Sequence, residues 1–177
     1  MSQAIKYETT SIDATQSAME LSALVQKYGG TRFELRWEGG LLMGVRFAIR
    51  HPGLGDVPVR LPARQDAVAA TLQEKRPYSS RMRKTRVEWE RDIAAQAYRV
   101  AWRHLKDFAE QVLLAVDLGI LEIQEGFLWA VEIEDPQTGD VTTMGAMVAQ
   151  HMQAVGQDGA LRLLPSGAIE AEFTVEG

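Results

Sequence analysis

Cysteine is absent from the 177 residues. That removes disulfides, thiolate nucleophiles and cysteine-ligated metals together, and it fits a reducing compartment. The three histidines, His51, His104 and His151, lie far apart, and no two share a metal-ligand spacing. No apolar run approaches the ~20 residues of a spanning helix. The polar N-terminus carries no apolar core of signal-peptide length. A cytoplasmic location without a membrane partner is therefore expected. GxxxxGK[ST], GxGxxG and GxSxG are all missing, so no standard phosphate cradle or serine elbow is present, and Ser79 and Ser80 have no histidine nearby. Internal repeats and low-complexity tracts are missing too. Lysine and arginine are missing from residues 107–161, where ten acids stand.

What is there is an ordinary globular composition, 46% hydrophobic and 24% charged, in a chain suited to one domain. The longest helical pattern runs over residues 91–118. Ile93, Ala97, Ala101, Leu105, Phe108, Val112 and Val116 recur at three- and four-residue intervals, and Ala94, Tyr98, Trp102, Ala109 and Leu113 widen the stripe. Gly119 suits the left-handed position that closes many helices. Arg99, Arg103, Lys106 and Glu110 occupy the remaining arc.

Ahead of this helix, residues 73–91 hold Lys75, Arg76, Arg81, Arg83, Lys84, Arg86 and Arg91 against Glu74, Glu88 and Glu90, a net of +4. The whole chain is −5, so the rest sums to −9. Cations interleaved with Tyr78 and Trp89 are what a phosphate-binding segment needs: charge to replace counterions, and rings on which a base stacks. The competing reading is a solvated loop, or one paired with the acidic half of its own or a neighbouring chain.

Residues 1–10 read as a flexible lead. A covering helix follows on Ala14, Ala18, Leu21, Val25 and Tyr28, with Ser11 as N-cap. Strict alternation marks strands at 31–38 and 41–50, joined by a Gly39-Gly40 hairpin. The inward set is Phe33, Leu35, Trp37, Leu41, Met43, Val45, Phe47 and Ile49. A proline-bearing third strand at 57–61 belongs at an edge. The polar face of these strands carries Arg32, Arg36, Arg46, Arg50 and Arg60 against Glu34 and Glu38, a second basic surface if solvent reaches it. A short helix fits 63–74. Residues 120–135 read as strand, 136–140 and 157–159 as turns, 142–155 as a helix whose Met144, Met147, Val148, Met152, Val155 stripe belongs in the core, or against a second subunit if that helix lies outermost, and 168–175 as a last strand. Glu122, Glu125, Glu132, Glu134 and Asp135 could hold a hard cation, but the wet face of strands accounts for them, so no metal or cofactor is expected.

Three stretches, VPVRLPAR (57–64), AWRHLKDFAE (101–110) and GILEIQEGFLWAV (119–131), together resemble a family of small uncharacterised proteins from phages and integrated mobile elements, over residues 24–148. The resemblance implies a phage-type accessory protein in the host cytoplasm and carries over no catalytic residue. The chain departs from it in a C-terminal extension from residue 156 and in Trp129, where relatives have a proline-containing stretch.

These readings combine into an α+β fold: an antiparallel sheet that 120–134 and 168–175 are available to extend, with the long central helix packed across it and smaller flanking helices. The expected function is non-catalytic binding of single-stranded nucleic acid or a small nucleotide, such as a host-defence signal, through Lys75, Arg76, Tyr78, Arg81, Arg83, Lys84, Arg86, Trp89, Arg91, Arg99 and Arg103. A homo-oligomer is expected as well. The alternatives are a self-assembly or interaction module with no small ligand, and a metal-dependent hydrolase built on the acidic cluster.

Overall fold

The computed structural model describes residues 5–158 apart from 52, 54 and 135–138. Its elements run α1 (Ala14–Lys27), β1 (Gly30–Glu38), β2 (Leu41–His51), β3 (Gly55–Pro62), α2 (Gln65–Lys75), α3 (Arg86–Asp117), α4 (Ile123–Phe127), a 3-10 turn (Leu128–Ala130), β4 (Glu132–Glu134), β5 (Val141–Thr143) and α5 (Met144–Asp158). The architecture is α+β, an antiparallel sheet in the order β1-β2-β3 against the 32-residue α3. At 1.5 Å per residue α3 is about 48 Å long, so it reaches well past the sheet. No helix among the described residues is long and apolar enough to cross a membrane.

Gly39 and Gly40 both take positive φ (56° and 80°), the geometry that turns a two-residue hairpin with the twist of its strands. The ladder then slips twice, between Thr31 and Glu34 and between Arg36 and Trp37. The second slip changes which side chains face α3. Leu42 is fully buried and Leu41 is exposed, the reverse of simple alternation, and Trp37 is left half out in solvent. Leu42 is held from both sides: its N–H donates to the Tyr98 hydroxyl and its carbonyl accepts from Trp102 Nε1, each at 3.0 Å. Val45, Phe47 and Ile49 of β2, Val59 and Leu61 of β3, the Ala14–Ala18–Leu21–Val25 stripe of α1, and Trp102, Leu105, Ala109, Val112 and Leu113 of α3 make the main core. Phe127 closes it, set edge-on to Phe47 with ring centroids 5.9 Å apart.

Several sequence expectations are corrected. α3 begins at Arg86, not 91, because Thr85 and Glu88 form a reciprocal capping box: Thr85 Oγ1 accepts from Glu88 N–H, and Glu88 accepts from Thr85 N–H. Asp13, not Ser11, caps α1 by accepting from Thr15 N–H at 2.8 Å. Residues 5–10 are tied down rather than loose: Gln96 donates to the carbonyls of Glu8 and Thr10, and Lys6 and Tyr7 both donate to Asp107. Within the expected strand at 120–135, residues 123–127 are helical: Glu125 accepts from Glu122 N–H at the start of α4, and Phe127 at its end is buried. β4 pairs with β5 rather than joining the main sheet, which the chain meets at the Val59–Val131 bridge just ahead of β4 and through the Glu132 carboxylate. α5 runs through 157 and 158, and Met147, Val148 and Met152 on it are exposed rather than buried. Most of the turn at 136–140, and the strand at 168–175, lie outside the described residues.

Candidate anion-binding groove

α2 packs on the first half of α3 through a small apolar cluster, Leu72 with Ile93 and Ala97, against which Ile5, Val68, Ala69 and Trp89 are partly buried. The connection between the two helices, 76–85, therefore has to loop out beside the start of α3. Ser79 ties its bend, its carbonyl accepting from Met82 N–H and its hydroxyl from Arg81 N–H. Tyr78 donates to the Lys84 carbonyl and lies against Trp89, ring centroids 5.8 Å apart.

Between this connection and α3 opens a groove of about 680 Å³, lined by Arg76, Arg83, Lys84 and Arg99, by Met82, Trp89, Ile93 and Ala95, and by Asp92 and Gln96. Four cations thus face one carboxylate. Asp92 is already bonded to Lys84, and that hydrogen bond holds its carboxyl below the ordinary aspartate range. Arg76 pairs with Glu8 at 2.7 Å, and Arg99 donates to Gln96, whose amide is fixed on the 8–10 backbone. Arg83 has no hydrogen bond or ion pair among the described residues. Glu88 lies outside the groove; Thr85 N–H and hydroxyl donate to it and lower its pKa.

Of the eleven residues singled out from sequence, Arg76, Arg83, Lys84, Trp89 and Arg99 share the groove lining. Tyr78 braces Trp89. Lys75 closes α2, outside that lining. Arg81 and Arg91 are exposed beside it, and Arg86 is spent on Glu90 at 2.9 Å. Arg103 is elsewhere: one turn on from Arg99, it pairs with Glu20 of α1 and lies over the Tyr7 ring. Sequence reading missed Met82, Asp92, Ile93, Ala95 and Gln96. The signal was available, because Trp89, Asp92, Gln96 and Arg99 fall on one helical stripe once α3 starts at Arg86.

The acidic half does not supply the groove's counter-charges. Asp107 takes Lys6, Glu110 takes Lys106, and Glu132 takes Arg46 and Arg60. Burial works against ionisation of Asp107, but hydrogen bonds from Lys6 and Tyr7 outweigh it and hold the carboxyl below its ordinary value. With Asp56 holding Arg50 and Arg32, the arginine face of the sheet is largely matched by carboxylates, Arg36 excepted. Glu122 and Glu125 belong to the start of α4 rather than to the wet side of a strand, and no group of three or more His, Asp or Glu positioned for a metal occurs among the described residues. His104 stands edge-on to Tyr7 in a packing role. No protein family, curated protein or solved structure matches the chain.

Proposed function

We propose that the chain is a non-catalytic binding protein for a phosphate-bearing ligand, held in the groove between the 76–85 connection and α3. One observation carries this reading: of four cations lining the groove, Arg76 and Lys84 are paired with Glu8 and Asp92, which leaves Arg83 and Arg99 without a carboxylate among the described residues, beside a partly buried tryptophan. Arg83 and Arg99 offer guanidinium forks of the kind that bind phosphate oxygens in pairs. Trp89, braced by Tyr78, offers a face for a base. A bounded groove favours a small nucleotide over a long strand, whose backbone would have to continue along Arg81, Arg86 and Arg91. In the phage setting that the sequence resemblance implies, such a protein in the host cytoplasm sequesters a nucleotide signal rather than turning it over.

The test is titration of the protein with mononucleotides, a cyclic dinucleotide and oligo-dT, followed by tryptophan fluorescence and calorimetry at low and moderate salt. Arg83→Ala and Arg99→Ala are each expected to weaken nucleotide binding by about tenfold, the loss of one charge-assisted contact. Binding confined to oligo-dT, with a steep salt slope that falls in Arg81→Ala and Arg91→Ala, moves the reading to single-stranded nucleic acid. No binding of either kind at low salt overturns it.

A second reading, self-association, rests on the apolar residues of α5 left in solvent, Met147, Val148 and Met152, 43–45% exposed, with Leu128 and Trp129 on the 3-10 turn against which α5 packs. Sedimentation of the wild type and of Met147→Glu/Met152→Glu tests it. A homo-oligomer that dissociates in the double variant supports it, and a monomeric wild type removes it.

A further inference from the structure

A second cavity, of about 610 Å³, lies between the sheet and α5 and shares no lining residue with the groove. Its floor follows from strand register. Arg36, Gly44 and Pro62 are paired across β1, β2 and β3, so they form one row on the face turned away from the main core. The middle position of that row has no side chain, and none fits there, because a Cβ on Gly44 would stand 2.5 Å from the Leu61 carbonyl oxygen. A notch results, with Arg36 on one side and Pro62 on the other. The next row brings Arg60 beside it, and Arg64 follows β3 at the rim. α5 roofs the notch with Gly145, Ala146 and Ala149, small enough to leave it open, and Trp129 stands at the end. That indole is held edge-on by Phe108, ring centroids 5.9 Å apart.

The charge in this cavity is one-sided. Three arginines and, among the described residues, no carboxylate line it; in the adjoining hollow Arg36, Arg46 and Arg60 stand with Glu34 and Glu132, so that with Arg64 four cations face two acids. Arg60 reaches Glu132 at 3.6 Å, but Glu132 is also bonded to Arg46. The side chains of Arg36 and Arg64 have no hydrogen bond or ion pair among the described residues. The uncompensated charge is therefore about two units, which a single carboxylate does not match and a phosphomonoester, carrying about −1.5 to −2 at neutral pH, does. Guanidinium forks suit phosphate oxygens in pairs. Met43, Pro62 and Trp129 provide an apolar wall for the organic part. A volume of this size lies within the ~300–1,000 Å³ usual for small-molecule sites.

We infer that this cavity is a second ligand site, distinct from the groove, that takes a phosphomonoester with an aromatic or apolar body, the phosphate among Arg36, Arg60 and Arg64 and the body against Trp129. The inference does not depend on what the groove binds.

The experiment uses 1-naphthyl phosphate as the probe, with 1-naphthol and inorganic phosphate as controls, titrated calorimetrically into the full chain. It is run on the wild type and on an Arg83→Glu background that disables the groove. On that background naphthyl phosphate is expected to bind one site per chain, more tightly than either control. Arg36→Ala and Arg64→Ala, both on exposed side chains, each weaken it by about tenfold. Ala149→Phe, which fills the roof side, abolishes it while the far-UV circular dichroism stays unchanged. Loss of all binding in Arg83→Glu alone, equal binding of 1-naphthol, or indifference to the Arg36→Ala/Arg64→Ala pair overturns the cavity assignment. Those results leave the groove reading standing, whereas binding that survives Arg83→Glu and fails in the pair supports the cavity whatever the groove does.

Discussion

Tyr98→Phe removes one oxygen, and the structure says what that oxygen does. The slip in the β1–β2 ladder turns Leu42 toward α3 and gives its N–H an acceptor in the Tyr98 hydroxyl, with its carbonyl bonded to Trp102 Nε1. A buried backbone donor left without an acceptor costs about 1–3 kcal/mol. Tyr98→Phe is therefore expected to lower unfolding stability by about 1–2 kcal/mol, and the melting temperature by about 2–4 °C per kcal/mol in a chain of this size. Trp102→Phe strips the donor from the other side and also empties part of a fully buried ring's volume, so about 3 kcal/mol is expected. The two hold the same residue, so their effects should fall short of additivity by more than about 0.5 kcal/mol. Once one tether is gone, Leu42 can move and the second is worth less. Urea unfolding of the wild type, both single variants and the double variant, followed by far-UV circular dichroism, gives all four corners. A Tyr98→Phe change within about 0.3 kcal/mol of zero, or strict additivity, would mean that water serves Leu42 as well as α3 does. The tether would then contribute nothing to strand placement.

Gly44→Ala should destabilise by about 1–3 kcal/mol, because the added carbon meets backbone at Leu61 rather than a side chain that can swing away; thermal melts check it. Ser17→Ala should do the opposite: the Ser17 hydroxyl is fully buried with no partner among the described residues, and alanine is also the better helix former, so a gain of about 1 kcal/mol is expected in urea unfolding. Asp107→Asn should cost about 1 kcal/mol at neutral pH by weakening the hold on Lys6 and Tyr7. The Asp107 carboxyl is depressed in the folded state, so its contribution is present above the ordinary value of 3.8 and lost as the pH falls through the lower folded value. Stability curves of wild type and variant should converge on the acid side of 3.8, and a constant gap down to the acid transition would contradict this.

Local pattern sufficed where one element decides its own face. The three- and four-residue spacing from Ile93 to Leu113 marked the buried side of α3, and Gly39-Gly40 marked the hairpin, because both follow from backbone period and φ preference alone. Legibility failed where a side chain's character masked its position. Residues 86–90 read as part of the basic segment by charge, although Thr85 and Glu88 spell a capping box three residues apart. That error kept Trp89 off the helix, and with it the face it shares with Asp92, Gln96 and Arg99. Residues 123–127 failed for another reason: a short apolar run does not distinguish strand from helix, and packing of Gly126 against Val112 goes with the helix. The cavity beneath α5 was illegible in principle. It needs the β1–β2–β3 register, which no single stretch encodes, to set Arg36 beside an empty Gly44.

Segregated charge along the sequence does not become segregated charge across the molecule by simple pairing of the two halves. The cations of the 73–91 segment are matched locally where a match is seen, Arg76 by Glu8, Lys84 by Asp92 and Arg86 by Glu90, while the acids at 107, 110 and 132 serve lysines and arginines from other segments. Arg83 in the groove, and Arg36 and Arg64 in the cavity, are left over in hollows. A chain at −5 repels an anion from a distance, so these hollows act against the field of the whole molecule and only at close range. At physiological salt the Debye length is about 8 Å, enough to mute the distant acids while leaving contacts inside a hollow nearly intact. Raising salt from a low value therefore weakens the local attraction and the global repulsion together. A small dianion held by two or three arginines should show a flatter salt dependence here than the same contacts give on a basic protein. A long strand lying over Arg81, Arg86 and Arg91 should show the steeper one, because counterions released along its length have no such offset.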